Sequence, residues 1–290
     1  MIRTKIDPAP GLDASDWGEK DGYMTKTVAI AGLGAIGLPL ARALDAGVEG
    51  LRLVAVASRD PVKARANLAG FQTTPRIVEI PELAEADIVV EAAPSAIFER
   101  IALPALEAGR IFVPASAGAL LPRMHLAKLA RQTGARIVVP TGALLGLDAV
   151  RAAAEGAVES ISIETRKPPM ALIGAPYLER HGIDVMDLTQ PLLVFDGNAL
   201  DAAAGFPANI NVAAALALAG IGPIRTQVRI WADPGLTRNI HTIRVEAEAA
   251  RFTMTIENVP SIDNPKTGQL TALSLLACLR GLVSTLKVGS

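Results

Sequence analysis

Gly32, Gly34 and Gly37, spaced Gly-x-Gly-x-x-Gly, stand where the apolar run 28–31 passes into a helix-like segment ending near Gly47. Each glycine answers a different demand of phosphate binding. Gly32 permits a tight turn, Gly34 lets a pyrophosphate approach the backbone, and Gly37 lets the helix pack closely on the strand. Ala35 and Ile36 complete the loop, and the helix behind it offers free N–H groups and a partial positive charge to an anion. A tight loop without a ligand could carry the same spacing. Here a strand precedes it, a helix follows and a second apolar run at 51–57 comes next, so the stretch reads as a dinucleotide-binding loop.

The end of that second run reads Ala57-Ser58-Arg59-Asp60. A fold specific for NAD places an acid about 20 residues past the glycines to hold the ribose 2′-OH. This chain offers Ser58 and Arg59 first, groups able to hold a 2′-phosphate, with Asp60 behind them. NADP is therefore expected alongside NAD, against the competing reading of an exposed arginine in a turn.

His241 is the candidate for proton transfer. In His241-Thr242-Ile243-Arg244-Val245-Glu246-Ala247 the odd positions after the histidine are apolar, so His241 shares the inner face of a half-buried strand with Ile243 and Val245. An imidazole with an ordinary pKa of about 6.5 suits proton exchange near neutrality. A hydrogen-bonded core histidine fits the same pattern. His125 and His181 stand in polar surroundings and read as surface residues. The single cysteine, Cys278, lies in an apolar helical pattern and reads as buried filler; no ligand-spaced histidine or cysteine pair suggests a metal centre.

These residues must be positioned by an α/β architecture. From Thr25 to about Pro140 apolar runs at 28–31, 51–57, 88–91, 111–114 and 136–139 alternate with helical segments near 37–46, 61–69, 96–108 and 120–133. That alternation predicts a doubly wound parallel sheet, a Rossmann domain over 25–143. Glu91-Ala92-Ala93-Pro94-Ser95 and Ala115-Ser116-Ala117-Gly118-Ala119 are small-residue loops at carboxyl strand ends, where ligands bind in such sheets. Ala92, Pro94, Ser116 and Ala117 would let backbone approach a nicotinamide; helix capping by Ser95 and Ser116 is an alternative compatible with it.

Beyond a helix near 147–156, strand-like alternation at 160–165, 227–232, 241–249 and 251–258 predicts a second α+β domain over 144–265 with a largely antiparallel sheet, for substrate and dimerisation. Between those strands 206–220 reads as one helix with an Asn-rich entrance. A last helix over 268–287, in a C-terminal segment 266–290, is expected to pack back on the first domain through Ser274, Cys278 and Gly281. Residues 1–24 read as a disordered leader, or as an extension ahead of a start at Met24. The net charge of −1 argues against a nucleic acid partner, and no apolar run approaches the roughly 20 residues that span a bilayer. One cysteine among 290 residues fits a reducing, cytoplasmic compartment.

By its separated motifs the chain resembles the L-aspartate dehydrogenases over roughly 26–290. They are the glycine loop, Ser116-Ala117-Gly118-Ala119-Leu120, Gly142-Ala143-Leu144 with Asp148, and Thr165-Arg166-Lys167-Pro168-Pro169. The most specific are Phe206-Pro207-Ala208-Asn209-Ile210-Asn211-Val212, Ala232-Asp233-Pro234 with Arg238-Asn239-Ile240-His241, and Asn264-Pro265-Lys266-Thr267-Gly268. The resemblance implies NAD(P)-dependent oxidation of L-aspartate to iminosuccinate, hydrolysed to oxaloacetate and ammonia, and the reverse amination. It also implies a homodimer and a supply of the imine for pyridine nucleotide biosynthesis. It puts the acid/base histidine at His241 and a cofactor contact at Asn211. A second contact, usually alanine, falls near Leu145, where the bulkier side chain is a departure. A dicarboxylate needs cations, and Arg166, Lys167, Arg238 and Lys266 are the candidates. The alternatives are a related reductase of another amino or oxo diacid, or a non-catalytic NAD(P)-binding sensor.

Overall fold

Two sheets organise the chain, and each forms where apolar runs of the matching period occur. The computed structural model describes residues 25–208, 210–259 and 268–289; the leader 1–24 and Lys266 lie outside them. The first domain holds β1 (Lys26–Ala31), α1 (Gly37–Asp45), β2 (Leu51–Ala57), α2 (Pro61–Leu68), β3 (Arg76–Ile77), β4 (Ile88–Glu91), α3 (Phe98–Glu107), β5 (Ile111–Pro114), α4 (Ala117–Leu120), α5 (His125–Thr133) and β6 (Arg136–Ile137). Its strands pair in parallel in the order β3-β2-β1-β4-β5-β6. Successive connections leave β1 toward β2 on one side and β4 on the other, which opens a crevice at the carboxyl ends of β1 and β4. The strands are buried on both faces and read accordingly as continuous apolar runs: Val28 to Ala31 and Ile88 to Val90 are all buried.

The second domain holds α6 (Leu147–Ala154), β7 (Val158–Lys167), α7 (Pro176–His181), β8 (Leu192–Asn198), α8 (Ala199–Gly205), α9 (Asn211–Ala219), β9 (Thr226–Ala232), β10 (Asn239–Ala247) and β11 (Arg251–Asn258). The sheet order is β11-β10-β7-β9-β8, antiparallel except for the β7–β9 pair. One face, with Ile161, Ile163, Val228, Ile230, Ile243 and Val245, is buried in a core shared with α6, α8 and α9. The other face carries Ser162, Arg166, Trp231, Thr242 and Arg244, half-buried or exposed. The last helix, α10 (Leu270–Val283), returns to the first domain, where Leu275 and Leu279 join the core of β1, β2 and α1.

Several segments depart from the sequence reading. The helix expected over 120–133 breaks into α4, a 3-10 turn Leu121–Arg123 and α5, because Pro122 lacks the N–H an unbroken helix needs. The helix expected over 206–220 begins only at Asn211: Pro207 drives Phe206 out of helical geometry, and α8 ends there instead. The two-residue β3 is too short to show a period, and β8 hid because its apolar Leu-Leu-Val-Phe does not alternate. The run 136–139 keeps only Arg136 and Ile137 in the ladder, although the Val138 N–H still donates to the Phe112 carbonyl at 2.9 Å. Among the described residues no helix is long and apolar enough to cross a membrane, and no cluster of side chains could hold a metal ion.

Candidate active site

The glycine loop has the shape its spacing demanded. Gly32 has a φ of +95°, and a Cβ there would lie 2.4 Å from the Ala92 carbonyl oxygen, so this glycine seats the β1 loop against the β4 loop. A Cβ on Gly37 would lie 1.9 Å from the Gly32 carbonyl oxygen, so the helix could not start so close to the strand with any other residue. Gly34 differs: a Cβ there would meet nothing within 4 Å. The space over it is open, as a pyrophosphate site requires. Ile36 precedes α1 without a side-chain cap, and no acid stands in the first turn to compete for an anion. The residues therefore fit a dinucleotide.

At the tip of β2, Asp60 turns its carboxylate away from the strand end. Its Oδ1 accepts from the N–H groups of Val62 and Lys63 at 3.0 Å each and caps α2. The Ser58 hydroxyl donates to the Asp60 carbonyl at 3.3 Å within the turn, and Arg59 stands exposed at the tip. On the other side of β1, Glu91 is 0 % exposed at the end of β4. Its Oε1 accepts from the Ala93 N–H at 3.0 Å and the Ser116 hydroxyl at 3.1 Å, and its Oε2 from the Ser116 N–H at 3.0 Å. The Ser116 hydroxyl is thus drawn to Glu91 and does not cap α4, and Ser95 caps nothing. Burial raises the Glu91 pKa above the usual carboxylate range, opposed by these three donors.

A cavity of about 740 Å³, counted with its open mouth, lies between the domains. Its wall runs from Ile36, Ala115 and Ala117 to Asn211, Lys167 and His241. Asn211, the first residue of α9, accepts the Gly118 N–H on its Oδ1 at 3.0 Å and so ties the second domain to the β5 loop. His241 faces Thr165 across the β10–β7 ladder, and its Nδ1 lies 3.0 Å from Thr165 Oγ1, which leaves Nε2 as the ring nitrogen not engaged by that hydroxyl. His241 is 2 % and Lys167 4 % exposed. Burial pushes the Lys167 ammonium down to about 8. Burial, and then the nearby Lys167 charge, pushes the His241 imidazole down to about 3, so it is neutral at ordinary pH.

Strand parity sorts the other cations. Arg166 follows Thr165 on β7 and points to the opposite sheet face, where it pairs with Glu164 at 2.9 Å and Asp233 at 3.4 Å and lies over the Trp231 ring at 4.7 Å. Arg238 sits at the surface 4.0 Å from Glu257. Of the four candidate cations the described structure brings only Lys167 to the cavity. Leu145 is 38 % exposed beyond the cavity wall, which is formed at that turn by Thr141, Gly142 and Ala143. His125 pairs with Glu99 and His181 stacks on Tyr177, both at the surface. Sequence reasoning missed Asn258: buried at the end of β11, it lines the cavity and donates Nδ2 to the Ala143 carbonyl at 3.0 Å. An asparagine on the inner parity of a strand was the available signal.

A family model described as aspartate dehydrogenase, C-terminal, matches residues 148–282, and one described as homoserine dehydrogenase, NAD binding domain, matches 32–140. The chain is similar to an L-aspartate dehydrogenase of Bradyrhizobium diazoefficiens, 55 % identical over 264 residues that cover 91 % of this chain and 94 % of that one. It is 51 % identical to L-aspartate dehydrogenase 3 of Bordetella bronchiseptica, over 91 % of this chain and 97 % of the other. The crystal structure of aspartate dehydrogenase from Thermotoga maritima superposes with a TM-score of 0.69 at 28 % identity, covering 91 % of this chain and 99 % of that one.

Proposed function

Since the chain belongs to the aspartate dehydrogenase family, we propose that it oxidises L-aspartate reversibly with NAD(P) to iminosuccinate, which water converts to oxaloacetate and ammonia. The observation that carries this reading is the pairing of His241 and Lys167 on a cavity wall continuous with the β1 and β5 loops. When bound, the nicotinamide cofactor supplies the acceptor for the hydride that leaves the substrate Cα. The protein must do the rest. The substrate nitrogen arrives as an ammonium and must lose a proton before its lone pair can drive hydride departure. His241, held neutral, takes that proton on Nε2 while Nδ1–H donates to Thr165 Oγ1 and fixes the ring. A dicarboxylate brings negative charge into the cavity and so raises the imidazole toward its working range.

Lys167 is the cation for a substrate carboxylate, and its burial makes that charge worth more than a surface lysine's. Asn211, braced on Gly118 at the cavity wall, is the cofactor contact in this reading. Ser58 and Arg59 at the β2 tip support use of NADP alongside NAD, because Asp60 is committed to α2. The family reading also carries a homodimer, with the uncovered face of the second sheet as its natural surface, a cytoplasmic location and a role in pyridine nucleotide biosynthesis. The test is initial rates of oxaloacetate plus ammonia with NADH and with NADPH, beside a panel of other amino and oxo acids. Turnover confined to a different diacid would replace aspartate as the substrate; no turnover with any would leave a binding protein.

A further inference from the structure

Glu91 has no part in the chemistry described so far, yet it is fully buried beside the nicotinamide end of the cleft. The pyrophosphate loop lies at β1, so the half of the dinucleotide that crosses to β4 and β5 is the nicotinamide half. Glu91 stands at the end of β4 and reaches both loops on that side. Ser116, which gives it two hydrogen bonds, is flanked by Ala115 and Ala117, and both line the cavity. The carboxyl group thus lies one residue behind the cavity wall that Ala115 and Ala117 help to form.

The hydrogen bonding favours the charged form, against burial, which raises the Glu91 pKa. Donors converge on both oxygens, two on Oε1 and one on Oε2. A carboxylate accepts them all, and an amide would set a hydrogen against a backbone N–H; only the rotatable Ser116 hydroxyl could turn to accept from a protonated acid. No Lys, Arg or His among the described residues pairs with it, and a buried anion with hydrogen bonds alone is costly. A positive charge arriving just beyond Ser116 would offset that cost. The oxidised nicotinamide ring carries one; the reduced ring does not.

We propose that Glu91 is an electrostatic positioning residue of the nicotinamide subsite, a buried negative charge that braces the β4 and β5 loops and favours the oxidised cofactor over the reduced one. It rests on the dehydrogenase reading above. Glu91, behind the cavity wall, and Lys167, on it, then set opposite charges about the cavity, matching a cationic ring and an anionic substrate.

The test is equilibrium binding of NADP+, NADPH, NAD+ and NADH to the full chain, without substrate, in the wild type, Glu91→Gln, Glu91→Met and Glu91→Asp. Gln keeps the shape but opposes one donor; Met keeps the length and opposes none, so one stands in if the other fails to fold. Both remove the charge and should raise the oxidised-to-reduced Kd ratio roughly tenfold, the scale for unit charges about 10 Å apart at an effective dielectric constant of about 20. Asp, one methylene shorter and measured well above the carboxylate pH range, keeps the charge while straining the hydrogen bonds. It should weaken both forms and leave their ratio within about twofold of wild type. Equal weakening of both forms in Gln and Met reduces Glu91 to a loop brace and overturns the proposal, as does an Asp ratio that moves as far as theirs. A wild type that binds no form overturns the dehydrogenase reading itself.

Discussion

Replacing Lys167 with Met should produce a protein that is more stable and less able to hold its substrate. The ammonium is 4 % exposed, and its pKa falls from an ordinary 10.5 to about 8. At about 1.36 kcal/mol per pH unit, the charged form is disfavoured by about 3 kcal/mol in the fold. The sign follows from proton binding. Between about pH 8 and 10.5 the unfolded chain holds this proton more tightly, so wild-type stability rises with pH there, and the penalty is complete below about 8. Lys167→Met removes it, so chemical denaturation at pH 7 should show a gain of up to about 3 kcal/mol that fades toward pH 10.5. The gain is an upper bound, because the interaction Lys167 makes within the fold is lost as well. Substrate binding should move the other way. Losing one charge-assisted hydrogen bond costs about 1.5–3 kcal/mol, roughly a 10- to 150-fold rise in KM for aspartate. Succinate, a dicarboxylate without an amine, isolates the effect as a competitive inhibitor. Its inhibition constant should rise by up to about tenfold per pH unit above about 8 in the wild type, as Lys167 loses its proton, level off near the variant's value, and be flat in the variant. A variant with unchanged succinate inhibition would remove Lys167 from the substrate site. A less stable one would show that its internal pairing outweighs its burial.

Three further substitutions probe the remaining parts. Gly34→Val meets open space and no positive φ, so melting temperature should hold while cofactor titration shows affinity collapsing; tight binding would mean the phosphates lie elsewhere. Arg59→Ala should raise KM for NADPH well above any change for NADH, and equal effects would move Arg59 out of the adenosine site. His241→Asn should lower kcat by roughly 10²–10⁴, the usual worth of acid–base catalysis, with cofactor Kd little changed. Because burial holds the free imidazole near 3, the wild-type profile should show the ionisation of Lys167 near pH 8, and it should persist in this variant. Near-normal turnover would return His241 to a core role.

What the sequence made legible was whatever one stretch of chain decides alone. The glycine loop is local, so its turn, its strand and its helix were readable together, and the inner face of β10 followed from the alternation around His241. Two breaks were equally local and still passed over: Pro122 interrupts the path from α4 to α5 and Pro207 turns Phe206 out of helical geometry, each near the start of an expected helix, where proline is ordinarily tolerated. The cations show where the limit lies. With β7 read only as far as Thr165, parity could not be carried to Arg166 and Lys167, and both looked like candidates. Two more residues of strand place them on opposite faces and leave one in the cavity. Glu91 lies beyond any such extension. Its environment is made by Ser116, 25 residues away, arriving on a neighbouring parallel strand. His241 likewise gains Thr165, 76 residues away, only through the β10–β7 register. Charges that act through space are set by which strands become neighbours, and that pairing is decided by the whole core and not by the residues that carry the charge.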